Sequence, residues 1–193
     1  MAKIILIGGT SHAGKSTLAR SLGERLGLAT QSTDKLARHP GRPWSTPEWP
    51  VPPHVVEYYQ TLAIPQLLED VLAHYRRMWP GIVQLIRKKA DQGLILEGSA
   101  LWPESVATLT EPKVAAFWLT AEDGVIADRM HQESRFTERT GPERILIDKF
   151  LGRTLAYNRR MMEAVERLGL PHIRVMADTT QKQMLAMAEK MLR

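Results

Sequence analysis

The chain contains no cysteine and few aromatic residues, with 3 Phe, 4 Tyr and 5 Trp among 193 residues. The lack of cysteine excludes disulfide bonds, a thiolate nucleophile and thiolate metal sites, and it suits a reducing compartment. No apolar run approaches the roughly 18 to 20 residues that a membrane-spanning helix needs. The first residues already form a predicted strand, which leaves no room for a signal peptide. We therefore expect a cytoplasmic protein that does not act in a membrane.

Low-complexity tracts and internal repeats are also absent from the sequence. Hydrophobic residues make up 44% and charged residues 24% of the chain, a balance typical of a folded protein. The length suits one well-filled α/β core and is too short for two domains with long connections. We predict a single domain over residues 1–193, as a monomer or a homodimer.

The net charge of +5 and the sequence pI of about 9.6 suit either an anionic small molecule or nucleic acid. The arginines are concentrated between Arg129 and Arg160 rather than in a lysine-rich tail, and no aromatic-interleaved RNA-binding pattern is present. This distribution argues against nucleic acid and favours phosphate-bearing small molecules.

The strongest motif is the stretch from Lys3 to Thr17, KIILIGGTSHAGKST. An apolar run predicts a buried strand, and Gly9 followed by four residues and Gly14-Lys15-Ser16 matches the pattern of a phosphate-binding loop, or P-loop. A helix follows at once, so backbone N–H groups and the positive helix end can both face a phosphate. We expect a nucleoside triphosphate, taken as ATP, to bind here.

Two side chains of this loop have roles that follow from their chemistry. Lys15 would contact the outer phosphates, and the Ser16 hydroxyl would be a ligand of Mg²⁺. Arg129 and Asp178, from later parts of the chain, are predicted to contact the nucleotide as well. The predicted nucleotide-binding residues are Gly9, Thr10, Ser11, His12, Ala13, Gly14, Lys15, Ser16, Thr17, Arg129 and Asp178.

Asp34 stands at the end of a predicted second strand, residues 28–33. Ligands of open α/β sheets bind beyond the carboxyl ends of the strands, so Asp34 and the P-loop should face the same crevice. Its carboxylate could take the proton of an acceptor hydroxyl or hold that hydroxyl by a hydrogen bond. The alternative is a structural role as an Asx-turn or helix N-cap.

Residues 38–53 form a predicted irregular loop, because their prolines forbid a regular helix or central strand. We interpret residues 34–53 as an acceptor-binding loop, with Trp44 and Trp49 available for packing on a ligand or on the domain itself. The predicted substrate-binding residues are Asp34, Arg38, His39, Arg42 and Trp44.

Residues 54–92 have helical periodicity, which we expect Pro65 and Pro80-Gly81 to divide into separate helices. The following strand, Leu94-Ile95-Leu96, ends at Glu97. P-loop enzymes keep an acidic residue near this position to hold metal-bound water, so we predict that Glu97 acts catalytically and shares Mg²⁺ with Ser16. A structural cap for the next turn is the alternative.

A fourth strand over 114–119 precedes a polar, arginine-bearing segment. We interpret residues 129–141 as a lid whose guanidinium groups, those of Arg135 and Arg139 in particular, would neutralise charge on a transferred phosphoryl group. Each arginine could equally be a solvated surface charge. A capping box at Thr140 to Glu143 opens a long helix.

A fifth strand at 171–176 and a final helix complete an alternation of strands and helices. Asp178, before that helix, could border the adenine or serve as its N-cap. Because right-handed crossovers are nearly obligatory in such units, the alternation predicts a three-layer αβα fold with a five-stranded parallel sheet.

Together, the GGTSHAGKST loop, Asp34, the LILEGS run and the arginine segment resemble the P-loop kinases of the nucleoside and nucleotide kinase-like group, including adenylate kinase-like members. The EGSALWP and DKFLGRTLAYNRR runs also look like small kinases of the 2-phosphoglycerate kinase type. The resemblance implies a sheet order of 2-3-1-4-5 and ATP-dependent transfer of a phosphoryl group to a small polar or phosphorylated acceptor. The D-G-[FY]-P signature of adenylate kinases and the D-x-D of shikimate-like kinases are missing, which leaves the acceptor open.

Two other functions remain compatible with the sequence. One is a nucleotide-dependent ATPase acting with nucleic acid, which would require stimulation by DNA or RNA and steep salt dependence. The other is a regulatory ATP-binding module, which would bind ATP without consuming an acceptor.

Overall fold

The computed structural model describes residues 3–37, 39–46 and 49–192. Five parallel strands form one sheet in the order β2-β3-β1-β4-β5, which confirms the predicted fold class and strand order. The strands are β1 (Ile4–Gly9), β2 (Thr30–Ser32), β3 (Leu94–Glu97), β4 (Val114–Ala121) and β5 (His172–Val175). The helices are α1 (Lys15–Leu26), α2 (Pro53–Thr61), α3 (Ile64–Lys89), α4 (Pro103–Ala107), α5 (Asp123–Ser134), α6 (Gly141–Arg167) and α7 (Gln181–Met191).

The central strand β1 explains the three layers. Its side chains alternate between two buried clusters, with Ile5 and Ile7 in one and Ile4 and Leu6 in the other, as the period of two in a strand requires. One cluster is completed by α1, α2, α5 and α7, and the other by α4, while α3 and α6 contribute to both. The sheet is therefore covered on both faces, as expected for parallel strands.

The strand register places the carboxyl ends of three neighbouring strands together. Glu97, the last residue of β3, pairs with Ile7 of β1 and with Ser32 of β2. Residues that follow these ends therefore share one crevice, as the positions of the P-loop, Asp34 and Glu97 predicted.

The prediction that Pro80 divides the helical segment is wrong. Helix α3 runs unbroken from Ile64 to Lys89 with Pro80 inside it, whereas Pro65 lies in its first turn. An interior proline costs a helix roughly 3 kcal/mol. Residues on both sides of Pro80, among them Leu72 and Ile82, are buried in the same cluster, and this shared burial holds the two halves in one helix.

No helix among the described residues is long and apolar enough to cross a membrane.

Candidate functional site

The P-loop connects β1 to α1 and leaves the first turn of that helix open. Gly14, at the N-terminal boundary of α1, has φ 97°, and no side chain caps the helix there. His12 also has a left-handed backbone, with φ 64°. The unused N–H groups of the first turn and the helix dipole therefore face the crevice, an arrangement that binds anions.

Lys15 is a buried cation at the bottom of this loop, with 8% of its surface exposed. Its Nζ donates a 2.6 Å hydrogen bond to the carbonyl oxygen of Thr10, within the loop itself. Burial lowers the pKa of Lys15, while the negative charges of Glu97 and Asp34 oppose that shift. The hydrogen bond holds the ammonium group in place, within the electrostatic influence of two carboxylates, where a phosphate would add further negative charge.

Ser16 and Glu97, the predicted metal pair, lie in contact. Ser16 Oγ donates a 3.0 Å hydrogen bond to Glu97 Oε1, and Glu97 is 6% exposed. A hydroxyl and a carboxylate at one point form the oxygen donor set that Mg²⁺ prefers, with its other positions left to phosphate oxygens and water. Among the described residues, no cluster of three or more His, Asp or Glu side chains could hold a metal by itself.

Asp34 lies in a short 3₁₀ turn, Thr33–Lys35, directly after β2. Ser32 caps this turn by accepting a hydrogen bond from the backbone N–H of Asp34 (3.3 Å), so the capping role considered for Asp34 belongs to Ser32. The turn packs closely on Gly98, where a Cβ would overlap the Thr33 side chain. This close approach brings Asp34 beside the residue that follows Glu97.

Two cavities open into the crevice and meet at one edge. The P-loop cavity, of about 480 Å³, is lined by His12, Gly14, Lys15, Ser16, Thr17, Glu97 and Arg129, among others. The aromatic cavity, of about 570 Å³, is lined by Trp44, Trp49, Tyr75, Phe150 and Arg153, among others. The residues that line both are Ser11, Asp34, Arg42 and Ser99. The remaining predicted loop residues, Gly9, Thr10 and Ala13, are buried and line neither cavity in the part that the structure describes.

The loop before α2 forms one wall of the aromatic cavity. Trp44 is 1% exposed and meets the ring of Phe150 edge-on, with 5.3 Å between ring centroids. It therefore serves the packing of the domain as well as the lining of the cavity. Arg38, predicted to bind substrate, lies outside the described residues.

His39, another predicted substrate contact, lines the aromatic cavity and belongs to a half-buried polar cluster. Its Nε2 lies 2.8 Å from Asp70 Oδ2, and the Tyr58 hydroxyl donates to the same oxygen over 2.8 Å. Because a carboxylate only accepts, the His39 Nε2 carries the proton. Burial lowers the pKa of His39 to about 4, so the ring is neutral near pH 7.

Arg42 links the acceptor loop to the P-loop through a residue that the sequence analysis missed. Its guanidinium pairs with Glu133 of α5, and the other oxygen of Glu133 lies 2.9 Å from His12 Nε2. These contacts, first with His12 and then with Arg42, hold the pKa of Glu133 below its usual range. One carboxylate therefore bridges both halves of the site.

The three lid arginines have different surroundings. Arg129 lines the P-loop cavity, and its Nη1 donates to the His12 carbonyl oxygen (2.9 Å). Arg139 donates to the carbonyl oxygens of Ser134 (2.7 Å) and Ser45 (2.9 Å), which ties the predicted lid to the acceptor loop. Arg135 is exposed, with Glu138 4.0 Å away. Neither Arg135 nor Arg139 lines the described part of either cavity.

Asp178 lies near the P-loop cavity without lining the part of it that the structure describes. That cavity is bordered instead by Thr179, Gln181 and Met184. The N-cap of α7 is Thr180, whose side chain accepts from the Gln183 N–H. The structural alternative for Asp178, that of a helix cap, is therefore not observed.

Sequence reasoning also missed Ser99, Tyr75 and Arg153. Ser99 Oγ donates to the Gly9 carbonyl oxygen (2.9 Å), so it fixes the start of the P-loop. Tyr75 and Arg153 are partly buried on α3 and α6, and both line the aromatic cavity although they are far apart in the chain. The one local signal for Tyr75 and Arg153 was that each places a polar group on the apolar face of a long helix.

No family model matches the chain, and no curated protein matches it. The chain does match solved structures. The chain is similar to a sugar kinase from Janibacter sp., with 20% identity, a TM-score of 0.60 and coverage of 100% of this chain and 95% of that chain. It is also similar to a gluconokinase from Sinorhizobium meliloti (16% identity, TM-score 0.55, 99% and 91% covered). A deoxyadenosine kinase from M. mycoides with bound dATP is a third (15% identity, TM-score 0.55, 98% of both chains covered). The chain therefore has the fold of the small P-loop kinases, which confirms the expected resemblance at the level of the fold.

Proposed function

We propose that this protein is an ATP-dependent phosphotransferase that moves the γ-phosphate to a hydroxyl or phosphate of a small polar metabolite. The observation that carries the proposal is the meeting of two cavities at Ser11, Asp34, Arg42 and Ser99. A P-loop cavity alone suits any nucleotide-binding protein. A second cavity of metabolite size that opens at the phosphate end suits a protein that transfers the phosphate to another molecule.

The P-loop cavity provides what phosphoryl transfer requires. The open N–H groups of α1 and the Lys15 ammonium would hold the phosphates and stabilise the charge that develops on them. Ser16 and Glu97 would hold Mg²⁺, Ser16 directly and Glu97 directly or through water. The ion would supply positive charge between the phosphates. Lys15 Nζ donates to the Thr10 carbonyl oxygen, a contact that phosphate oxygens would replace.

We assign the acceptor proton to Asp34 and the metal to Glu97. The assignment is supported by position, because Asp34 borders both cavities, whereas Glu97 borders only the P-loop cavity and already contacts Ser16. In the transfer, the acceptor oxygen bonds to the γ-phosphorus as the bond from that phosphorus to the β–γ bridging oxygen breaks. The hydroxyl proton passes to Asp34, and ADP leaves.

Arg129 is the arginine that we propose to contact the nucleotide, since it borders the P-loop cavity. Arg135 and Arg139 would reach a transferred phosphate only after residues 129–141 close over the crevice. The contact of Arg139 with Ser45 would transmit such a movement to the acceptor loop. The similar structures are kinases of gluconate, a sugar and deoxyadenosine. They support a small metabolite as the acceptor, without selecting one.

The proposal is tested by transfer from γ-labelled ATP to nucleosides, nucleoside monophosphates, sugars, aminocyclitols and phosphoglycerates. Asp34→Asn should lower kcat with the acceptor by about 10²- to 10⁴-fold and leave ATP affinity nearly unchanged, because it removes the proton acceptor but no phosphate contact. Glu97→Gln should instead raise the Mg²⁺ concentration needed for turnover.

Asp91→Asn is the matched control, because Asp91 is an exposed acid just before β3. Transfer to no acceptor despite tight ATP binding would contradict the proposed function and favour the regulatory alternative. Equal kcat/KM in wild type and Asp34→Asn would remove Asp34 from the chemical step.

A further inference from the structure

Arg153 of α6 is a guanidinium built into the wall of the aromatic cavity. Its Cζ lies 4.4 Å from the centroid of the Phe150 ring and 5.8 Å from that of Tyr59, and its Nη1 donates to the Tyr59 hydroxyl (2.9 Å). Tyr59 is itself fixed by donating to the Gly41 carbonyl oxygen (2.9 Å). Aromatic packing and one hydrogen bond thus orient the guanidinium plane. A guanidinium has five N–H donors, and the remaining donors of Arg153 have no acceptor among the described residues.

The positive charge of Arg153 has no carboxylate partner in the described part of the chain. Among residues 3–37, 39–46 and 49–192, no carboxylate oxygen lies within 4.0 Å of its nitrogens, although Arg153 is partly buried. Three other arginines of the same helix have carboxylate partners: Arg159 with Asp123, Arg160 with Glu69 and Arg167 with Glu104. Arg144 has none within the ranges that the structure describes, but it donates to the carbonyl oxygens of Phe136 and Thr137. A partly buried cation usually has such partners, whereas Arg153 makes a single hydrogen bond among the described residues, to the Tyr59 hydroxyl.

The remaining charges of the aromatic cavity do not change this balance. Arg42 is paired with Glu133, and His39 is neutral near pH 7, since burial lowers its pKa to about 4. The positive charge of Arg153 lowers the pKa of His39 further. Asp34 is negative but lies at the edge shared with the P-loop cavity, whereas Arg153 borders only the aromatic cavity. The cavity is therefore negative where it meets the P-loop and positive at Arg153.

We propose that the acceptor is a small anion whose carboxylate or phosphate monoester binds Arg153, while its hydroxyl faces Asp34. This rests on the proposed function, because it names the substrate class of the same site. Both acidic groups offer two oxygens to a guanidinium fork. A neutral sugar or nucleoside would leave the Arg153 donors without an acceptor in a partly desolvated place.

The test compares matched probes that differ in charge. Isothermal titration with a non-hydrolysable ATP analogue present would measure the Kd of D-gluconate against D-glucitol, and of glycerate and glycerol 3-phosphate against glycerol. In wild type, an anionic probe should bind at least about 10-fold more tightly than its neutral partner, the range expected for charge-assisted hydrogen bonds. The carboxylate and phosphate probes decide between the two acidic groups.

Arg153→Gln should remove this preference and leave the affinity for the neutral probe unchanged. Arg153→Lys should keep part of it, because the charge remains and the fork is lost. Arg159→Gln is the matched control on the exposed side of α6 and should behave like wild type. Should Arg153→Gln fail to fold, the weakened preference in Arg153→Lys provides the test, with thermal unfolding reported for each variant.

The proposal is overturned if neutral probes bind as tightly as anionic ones, if no anionic probe binds, or if the variants at Arg153 keep the full preference. Phosphoryl transfer from labelled ATP, measured on the same probes, separates this result from the proposed function. Anion binding that depends on Arg153 without any transfer would count against the kinase and keep the anion site. Transfer to neutral acceptors alone would keep the kinase and remove the anion site.

Discussion

The two cavities of the crevice are built in different ways. The P-loop cavity is built around one contiguous stretch, Ser11 to Thr17, which supplies six of its 16 lining residues, with Glu97 from the adjacent strand end. The aromatic cavity is assembled from Asp34, Tyr75, Phe150, Arg153 and the loop before α2, which are far apart in the chain. The first is a product of local backbone geometry and the second of tertiary packing, so substitutions should affect them differently.

The kind of interaction differs as well. The P-loop cavity depends on backbone N–H groups, a buried ammonium and the Ser16–Glu97 contact. Around the aromatic cavity, side chains are positioned by rings that pack edge-on. Phe150 packs in this way on Trp44, and Tyr58 on Tyr59. We therefore expect charge removal to stop chemistry in the first, and changes of packing or protonation to weaken the second.

The largest effect should follow Lys15→Ala. This variant removes the only described ammonium that borders the P-loop cavity, so turnover should fall by about 10²- to 10³-fold or more, as when one charge-stabilising donor is lost. Acceptor binding, measured without nucleotide, should be unchanged. Wild-type ATP turnover in Lys15→Ala would show that the loop has been misassigned, and a loss of acceptor binding would show that the two cavities are not independent.

Acid should affect the aromatic side first, because His39 is buried there. The pKa of His39 is about 4 in the folded protein against 6.5 for the free side chain. Between these values the unfolded chain binds a proton that the folded one does not. The contribution of His39 to the free energy of unfolding is therefore complete above pH 6.5. It is lost as the pH falls towards 4, by about 3 kcal/mol at most.

The corresponding measurement is urea unfolding at pH 7 and at pH 4.5. His39→Gln, which can still donate to Asp70, should lose less stability between these pH values than wild type does. His172→Gln, at an exposed position on β5, is the control and should show the wild-type loss. An equal loss in His39→Gln and wild type would mean that another group controls the response to acid.

The smallest effect should follow Glu133→Gln, at the bridge between the two halves. The variant weakens the pairing with Arg42 and the contact with His12, so the acceptor KM should rise by about 3- to 10-fold, the size of a modest pairwise coupling. Glu138→Gln, an exposed acid of the same segment, is the control. If Glu133 does not act through Arg42, the acceptor KM of the double variant Glu133→Gln/Arg42→Ala should rise by the product of the two single-variant increases.

Local patterns predicted the parts of the site that local chemistry builds. The strand, loop and helix at residues 3–26 predicted the open helix end, and the apolar run before Glu97 predicted its place next to Ser16, because parallel strands end at one edge. Helix boundaries were less certain. Pro80 predicted a break that burial of both halves of α3 overrides, since propensity is a weaker term than packing.

The partners of the arginines could not be predicted, because a guanidinium in the sequence gives no information about what it meets. Arg42 finds Glu133, Arg139 finds Ser45, and Arg153 finds two aromatic rings. Apart from Phe150, which is on the same helix as Arg153, these partners lie on other elements, and only the packing of α5 and α6 against the acceptor loop brings them together.

The sequence by itself therefore determined the three-layer fold, the phosphate-binding loop and the residue types at the ends of β2 and β3, because these depend on short-range periodicity and on backbone geometry near glycine. Only the tertiary structure decided that a second cavity meets the P-loop at Asp34, that Glu133 bridges the halves, and that Arg153 lies in the cavity wall without a carboxylate partner among the described residues. The physical reason is that ion pairing and burial depend on which distant surfaces come into contact, and those contacts are set by the whole fold.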